Sequence, residues 1–237
     1  MKSVRSPRRI EDVPRRLHVL GIDCATASCS AAISVAGEIV SHRFEEMARG
    51  QAEVLIPIID GVLAEARIGF DYLDLLGVTV GPGAFTGVRI GLSTAQSLSM
   101  AAGLPLVGVT TLEAVARAHR VSPDPVLIAL ETKRTDIYFQ LFGTDGAAIT
   151  APAAAEAAGM AAMMPPGPIG VAGDASLRAH QALVAAGCIV RRLEGPEYPD
   201  ARWVAAIAAD RFESDEMVPP APLYLRSPDV GPPRKRL

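Results

Sequence analysis

GPGAFTGVRIGLSTAQSLSMAAGLPLVGVTTLEAVA, residues Gly81 to Ala116, decides how the rest of this chain is read. The apolar run DLLGVTV (74–80) leads into it and has the character of a strand buried in a parallel sheet. A Gly-rich turn follows, then a helix of small residues from about Val88 to Ala102, which Thr86 can cap. PLVGV (105–109) is a second buried strand, and Thr110-Thr111-Leu112-Glu113 has the spacing of a capping box for another helix. Strand–helix–strand–helix order implies right-handed crossovers and a parallel portion of sheet, so the fold class is α/β.

Upstream, LHVLGI (17–22), CSAAISV (29–35) and EIVSHRF (38–44) read as a meander. Asp23 to Ser28 is its first turn and Ala36-Gly37 its second. A helix follows Gly50, because Val54, Leu55, Ile58, Ile59, Val62, Leu63 and Ala66 recur on one face. Downstream, Pro123-Asp124-Pro125 joins two lobes. VLIAL (126–130) and DIYFQLF (136–142) form a hairpin around the charged tip Glu131–Thr135, and residues 150–168 show no period. A strand (169–175), a helix (176–187), a strand (188–193) and a helix (200–212) complete the second half, with a Pro-rich tail from Met217 along the surface. The division expected is a basic tail (1–16), a first lobe (17–120), a second lobe (121–227) and a basic tail (228–237), with helix 200–212 packing back on the first lobe.

The net charge of −3 is unevenly placed. Lys2, Arg5, Arg8, Arg9, Arg15 and Arg16 outnumber Glu11 and Asp12, while Arg234, Lys235 and Arg236 close the chain. Removing both ends leaves a body of roughly −10, which repels phosphate backbones. RNA contact by the body alone is therefore disfavoured, although the basic ends suit a weak electrostatic tether. Cys24, Cys29 and Cys188 have no metal-ligand spacing and suit reduced thiols. No segment has the character of a secretory signal or a membrane span, so a cytoplasmic protein is expected.

Chemistry is sparse around the decisive stretch. Gly81, Gly83 and Gly87 bare the backbone at a helix start, where an anion can bind. No Lys-Ser/Thr pair follows, and the spacing of Gly83 and Gly87 misses the dinucleotide fingerprint. Asp23, beside Thr26 and Ser28, can hold a metal–phosphate group or cap its own turn. The anion-proximal candidates are Asp23, Thr26, Gly83, Thr86 and Gly87. His18, His42, His119 and His180 stand too far apart for a local metal site. The helix Val88–Ala102, thin through Gly91, Ser93, Ala95, Ser97, Ser99 and Ala101, can be approached closely by another helix. With residues 54–66 it could form a four-helix contact with another chain.

LGIDCATASCSAAI (20–33), ARGQAEVLIPIIDGVLAEA (48–66), the Gly81–Ala116 block, DIYFQLF (136–142), VAGDA (171–175) and PLYLRSPDV (222–230) together resemble the TsaB (YeaZ) family. The resemblance spans nearly the whole chain between the tails, departing at Gln51, where the family commonly reads His. It implies an actin-like ATPase (ribonuclease H-like) fold of two related lobes, the second reduced. It also implies a non-catalytic subunit of the machinery that makes threonylcarbamoyladenosine in tRNA. The partner implied is TsaD, the transferase, whose metal is held by a His-x-x-x-His pair; Thr111 and Val115 stand at those positions. The ATPase TsaE would join the pair, ATP or ADP would sit at the joint surface, and tRNA would be reached only through the complex. The chain alone would form a homodimer through the same surface. Leu55, Ile59, Leu63, Leu92, Ala95 and Ser99 are the contact candidates that follow. The alternative is an enzyme, an actin-like nucleotide hydrolase or a glycopeptidase-like protein, which requires a nucleophile–base pair or metal centre.

Overall fold

The computed structural model describes residues 16–218 and 220–226. The expectation of RNA-tethering basic ends falls on residues 1–15 and 227–237 and so lies outside the described residues, apart from Arg16. The chain opens with the meander β1 (His18–Asp23), β2 (Ser28–Val35) and β3 (Glu38–Glu46). Its second turn is the two-residue Ala36-Gly37, with φ of 52° and 85°, the left-handed pair that matches the twist of a tight hairpin. Next come α1 (Gln51–Ala66), β4 (Leu75–Thr79), α2 (Phe85–Ala102), β5 (Leu106–Val109) and α3 (Thr111–Ala118). The strands form one sheet in the order β3-β2-β1-β4-β5, antiparallel through the meander and parallel from β1 to β5.

The second half repeats that plan on a smaller scale. It runs β6 (Val126–Glu131), β7 (Asp136–Phe142), β8 (Ala153–Glu156), α4 (Ala157–Met160), β9 (Ile169–Ala172), α5 (Ser176–Ala185), β10 (Val190–Arg192) and α6 (Ala201–Glu213). The sheet order β10-β9-β6-β7-β8 is the first sheet's order with each strand in its corresponding place. Residues 150–168, which show no hydrophobic period, hold β8, α4 and a short 3₁₀ turn.

The last helix of each half crosses to the other sheet. Leu112 and Val115 of α3 share a core with Val126, Ile128, Leu130 and Phe142. In exchange, Ala205 and Ala208 of α6 pack with Val19, Leu75 and Val107 of the first sheet. Gly21 makes room for this: a Cβ there would lie 2.2 Å from the Ala201 carbonyl oxygen. The lobes are therefore braced by two exchanged helices. Beyond α6 the chain returns along the first lobe, where Gly108 N donates to Val218 O (3.0 Å) and Leu223 N to Val80 O (2.7 Å).

Candidate functional site

A cleft of about 1040 Å³ separates the lobes. Its first wall is built from the turn after β1, the start of α1 and the start of α2, and includes Thr26, Gln51, Gly83, Thr86 and Gly87. The hairpin tip Glu131–Arg134, with Tyr138 and Asp174, forms the opposite wall, and Leu223 to Arg226 close one end. Four of the anion-proximal candidates thus come together on one wall.

Asp23 does not join them. It is fully buried beneath the turn, where Thr79 Oγ1 (2.7 Å), Ala25 N (3.1 Å) and Ser28 Oγ (3.3 Å) donate to its carboxylate. Burial pushes its pKa up to about 7, against the lowering effect of those three bonds. The role of Asp23 is thus to cap the turn, the alternative that its Asp–Ser spacing had left open; it lies away from the cleft surface.

The glycines also serve packing. The start of α2 docks on the β1–β2 turn, with Ala84 N donating to Ala25 O at 2.7 Å. A Cβ on Gly83 would stand 2.1 Å from Ala25 O, and one on Gly87 2.1 Å from Cys24 O, closer than any side chain tolerates. What reads in sequence as a turn bared for an anion is bared for another stretch of backbone. Thr86 does not cap α2: the residue before the helix is Ala84, with no side-chain cap, and Thr86 is exposed within the first turn.

The proposed contact residues need a second correction. Leu55, Ile59, Leu92 and Ala95 are all buried in the first lobe's own core. Helical periodicity selects the face with most apolar side chains, and that face belongs to the sheet beneath. Leu63 and Ser99 are half-buried at the margin, where Ser99 Oγ donates to Leu104 O at 2.7 Å. The exposed positions of the two helices include Ile56, Pro57 and Asp60 on α1 and Ser93, Ser97 and Met100 on α2. Ile56 is 45% and Met100 85% exposed, a contrast with the helices' inner faces that periodicity alone could not reveal.

On α3 the capping box forms as its spacing predicts. Glu113 N donates to Thr110 Oγ1 (3.1 Å) and Thr110 N to Glu113 Oε2 (2.9 Å). Thr111 and Val115, one turn apart, are completely enclosed, and Thr111 Oγ1 has no hydrogen-bond partner among the described residues. Cys24 and Cys29 sit side by side in the first core, their sulfurs 3.2 Å apart. The Cys29 contact and, after it, burial raise the Cys24 thiol's pKa, so it is a poor nucleophile at neutral pH. No group of three or more His, Cys, Asp or Glu side chains among the described residues could hold a metal ion, and no described helix is long and apolar enough to cross a membrane.

Comparison with known proteins agrees with this architecture. Residues 38–184 match the family model "TsaD: tRNA N6-adenosine threonylcarbamoyltransferase". An uncharacterized protein of Mycobacterium tuberculosis is 34% identical over 217 residues, covering 90% of this chain and 94% of that one. The tRNA threonylcarbamoyladenosine biosynthesis protein TsaB of Haemophilus influenzae is 34% identical over 129 residues, 53% of each chain. Among solved structures, YeaZ from Pseudomonas aeruginosa superposes with a TM-score of 0.77 at 23% identity, covering 88% of this chain and all of that one. The doubled sheet order and this superposition give the actin-like ATPase fold.

Proposed function

The chain belongs to the TsaB family, within the wider group that the threonylcarbamoyltransferase model describes, and from that premise we propose that it is a non-catalytic scaffold for threonylcarbamoyl transfer to the tRNA adenosine beside the anticodon. In this reading it pairs with TsaD through α1 and α2. The pair recruits TsaE, ATP or ADP sits at the joint surface, and tRNA is engaged by the assembly. In isolation, two copies of the chain pair through the same face.

The observation that carries the reading lies on α3. Thr111 and Val115 occupy the two positions where the resemblance places the transferase's metal-binding histidines, and both are enclosed by the chain's own core. A hydroxyl and an isopropyl group offer no ring nitrogen, so these positions cannot supply the imidazole ligands of the transferase centre.

The exposed positions of α1 and α2 support the docking half of the reading. Ile56 and Met100 provide apolar contact, while Ser93 and Ser97 keep α2 thin enough for a partner helix to approach. These positions take the place of the buried Leu55, Ile59, Leu92 and Ala95. An Ala95→Arg change would disrupt the chain itself, so the informative substitution is Ser97→Arg, on exposed helix surface. Mixed with TsaD, the unaltered chain should co-elute as a heterodimer by light scattering, and threonylcarbamoyl transfer should require both chains. Ser97→Arg should fold normally and lose at least tenfold in affinity. Normal co-elution of that variant refutes the face; transfer by this chain alone refutes the scaffold.

A further inference from the structure

The last described segment joins three parts of the molecule across the cleft. Its start is bonded to the edge strand β5 through Gly108 and Val218. It then follows α2, where Gln96 Nε2 donates to Pro220 O at 3.3 Å. Leu223 bonds the end of β4 through its amide and packs its side chain on the first core. Gly81 is bare at that point: a Cβ would stand 2.8 Å from Leu223 O. Tyr224 stacks 5.3 Å from Phe85, and Arg89 fixes the pair, its guanidinium 3.8 Å over the Phe85 ring and its Nε donating to Tyr224 Oη at 3.0 Å. Two residues on, Arg226 reaches the second lobe and forms an ion pair with Asp136 at the base of the charged hairpin.

We propose that Val218 and residues 220–226 form a latch on the inter-lobe cleft, anchored permanently on the first lobe and released at the Arg226–Asp136 pair. The asymmetry of the anchors is the argument. On the first lobe the segment has backbone bonds at both ends, a side chain in the core and an aromatic–guanidinium stack. Its anchor on the second lobe, among the described residues, is an ion pair between an Asp136 side chain that is 8% exposed and an Arg226 side chain that is 31% exposed. Asp136 also accepts from Thr132 Oγ1 at 2.7 Å, which ties the carboxylate to the hairpin tip lining the cleft. When the pair breaks, the hairpin is freed from the start of α2 while the segment stays in place. The exchanged helices α3 and α6 keep the lobes together, so the motion is an opening of the cleft and not a dissociation.

Hydrogen exchange followed by mass spectrometry on the full chain tests this. Arg226→Ala should raise exchange about tenfold at amides of 84–88 and 132–138 and leave β1 and β4 unchanged. Asp136→Asn, which removes the pair without leaving a buried charge behind, should do the same. High salt should raise exchange at both walls in the unaltered chain and add nothing in either variant. Unchanged exchange at 132–138 in Asp136→Asn overturns the latch. An increase spread evenly over both sheets also overturns it, because the pair would then serve only global stability.

Discussion

The two lobes share one strand order and one joining device but differ in what they leave outside. In the first, Ala84 N donates to Ala25 O at 2.7 Å; in the second, Ala175 N donates to Ala129 O at 3.1 Å. Each contact seats the helix after the fourth strand on the end of the first, and each needs a glycine beside it. A Cβ on Gly83 or Gly87 would lie 2.1 Å from a carbonyl oxygen, and one on Gly173 2.2 Å from Ala129 O. The helices after the third strand differ most: α1 has 16 residues, while its counterpart α4 has 4. Among the described residues, only the first lobe therefore has two long neighbouring helices after its third and fourth strands. The common plan explains the fold, and the difference is why the proposed docking surface is placed on the first lobe.

The sharpest test of the common device is to add the missing carbon in each lobe. Gly87→Ala and Gly173→Ala should each cost about 3 kcal/mol or more, read as a urea midpoint, because the atoms in the way are backbone. Gly173 adds the strain of its φ of 100°. Gly159→Ala is the control: it stands in α4 with nothing within 4 Å of its Cβ position and should stabilise by about 0.5 kcal/mol. A mild cost at Gly173 alone would break the equivalence of the lobes.

Buried carboxylates give the next contrast, with opposite signs. Asp23 is raised to about 7 by burial, so its contribution is present below about pH 4 and is lost as pH rises through 7. Asp23→Asn should therefore stabilise the chain at pH 8 by about 2–4 kcal/mol and give no gain near pH 4. Asp174, in the turn after β9, is raised to about 6, also mainly by burial. It is partly open to solvent, and Asp174→Asn should gain only about 1 kcal/mol. Burial would raise Asp200 as well, but bonds from His42 and Arg202 outweigh it and hold it near 2. Its contribution is present above about pH 4 and lost as pH falls through 2, so Asp200→Ala should cost about 2 kcal/mol at pH 7. Stability measured across pH 2–9 separates the three.

Much of this plan was legible in the sequence because it is local. The hairpin at Ala36-Gly37, the capping box at Thr110 and the seven-residue apolar face of α1 each depend on neighbours within one or two turns. The glycines at 83 and 87 were legible as bare backbone, but their reason is not local: the oxygens they avoid belong to Cys24 and Ala25, far earlier in the chain. The contact residues failed for a related reason. Periodicity finds the face that buries most, and in a helix packed on a sheet that face is already taken. Residues 150–168 were unreadable because β8 is a short run of Ala153 to Glu156, with too little contrast between its faces to show a period.

The smallest effect concerns the two exchanged helices, which are capped differently. Asp200 caps α6 through Arg202 N at 2.9 Å, while α3 carries the reciprocal Thr110–Glu113 box. Glu113 does more than complete that box, since Arg211 of α6 binds its Oε1 at 2.6 Å and donates to Gly108 O at 2.7 Å. Thr110→Ala removes one arm only: Glu113 still reaches back to the amide of residue 110 and still holds Arg211. The expected loss is about 1 kcal/mol in a urea titration, and Thr110→Ser should restore nearly all of it. Because α3 is packed on the second sheet by Leu112 and Val115, its position should survive the loss of a cap. A cost above about 2 kcal/mol would mean that the cap, and not those buried side chains, fixes α3 across the lobes. The exchange of helices would then depend on the first lobe's loop chemistry more than on the second lobe's core.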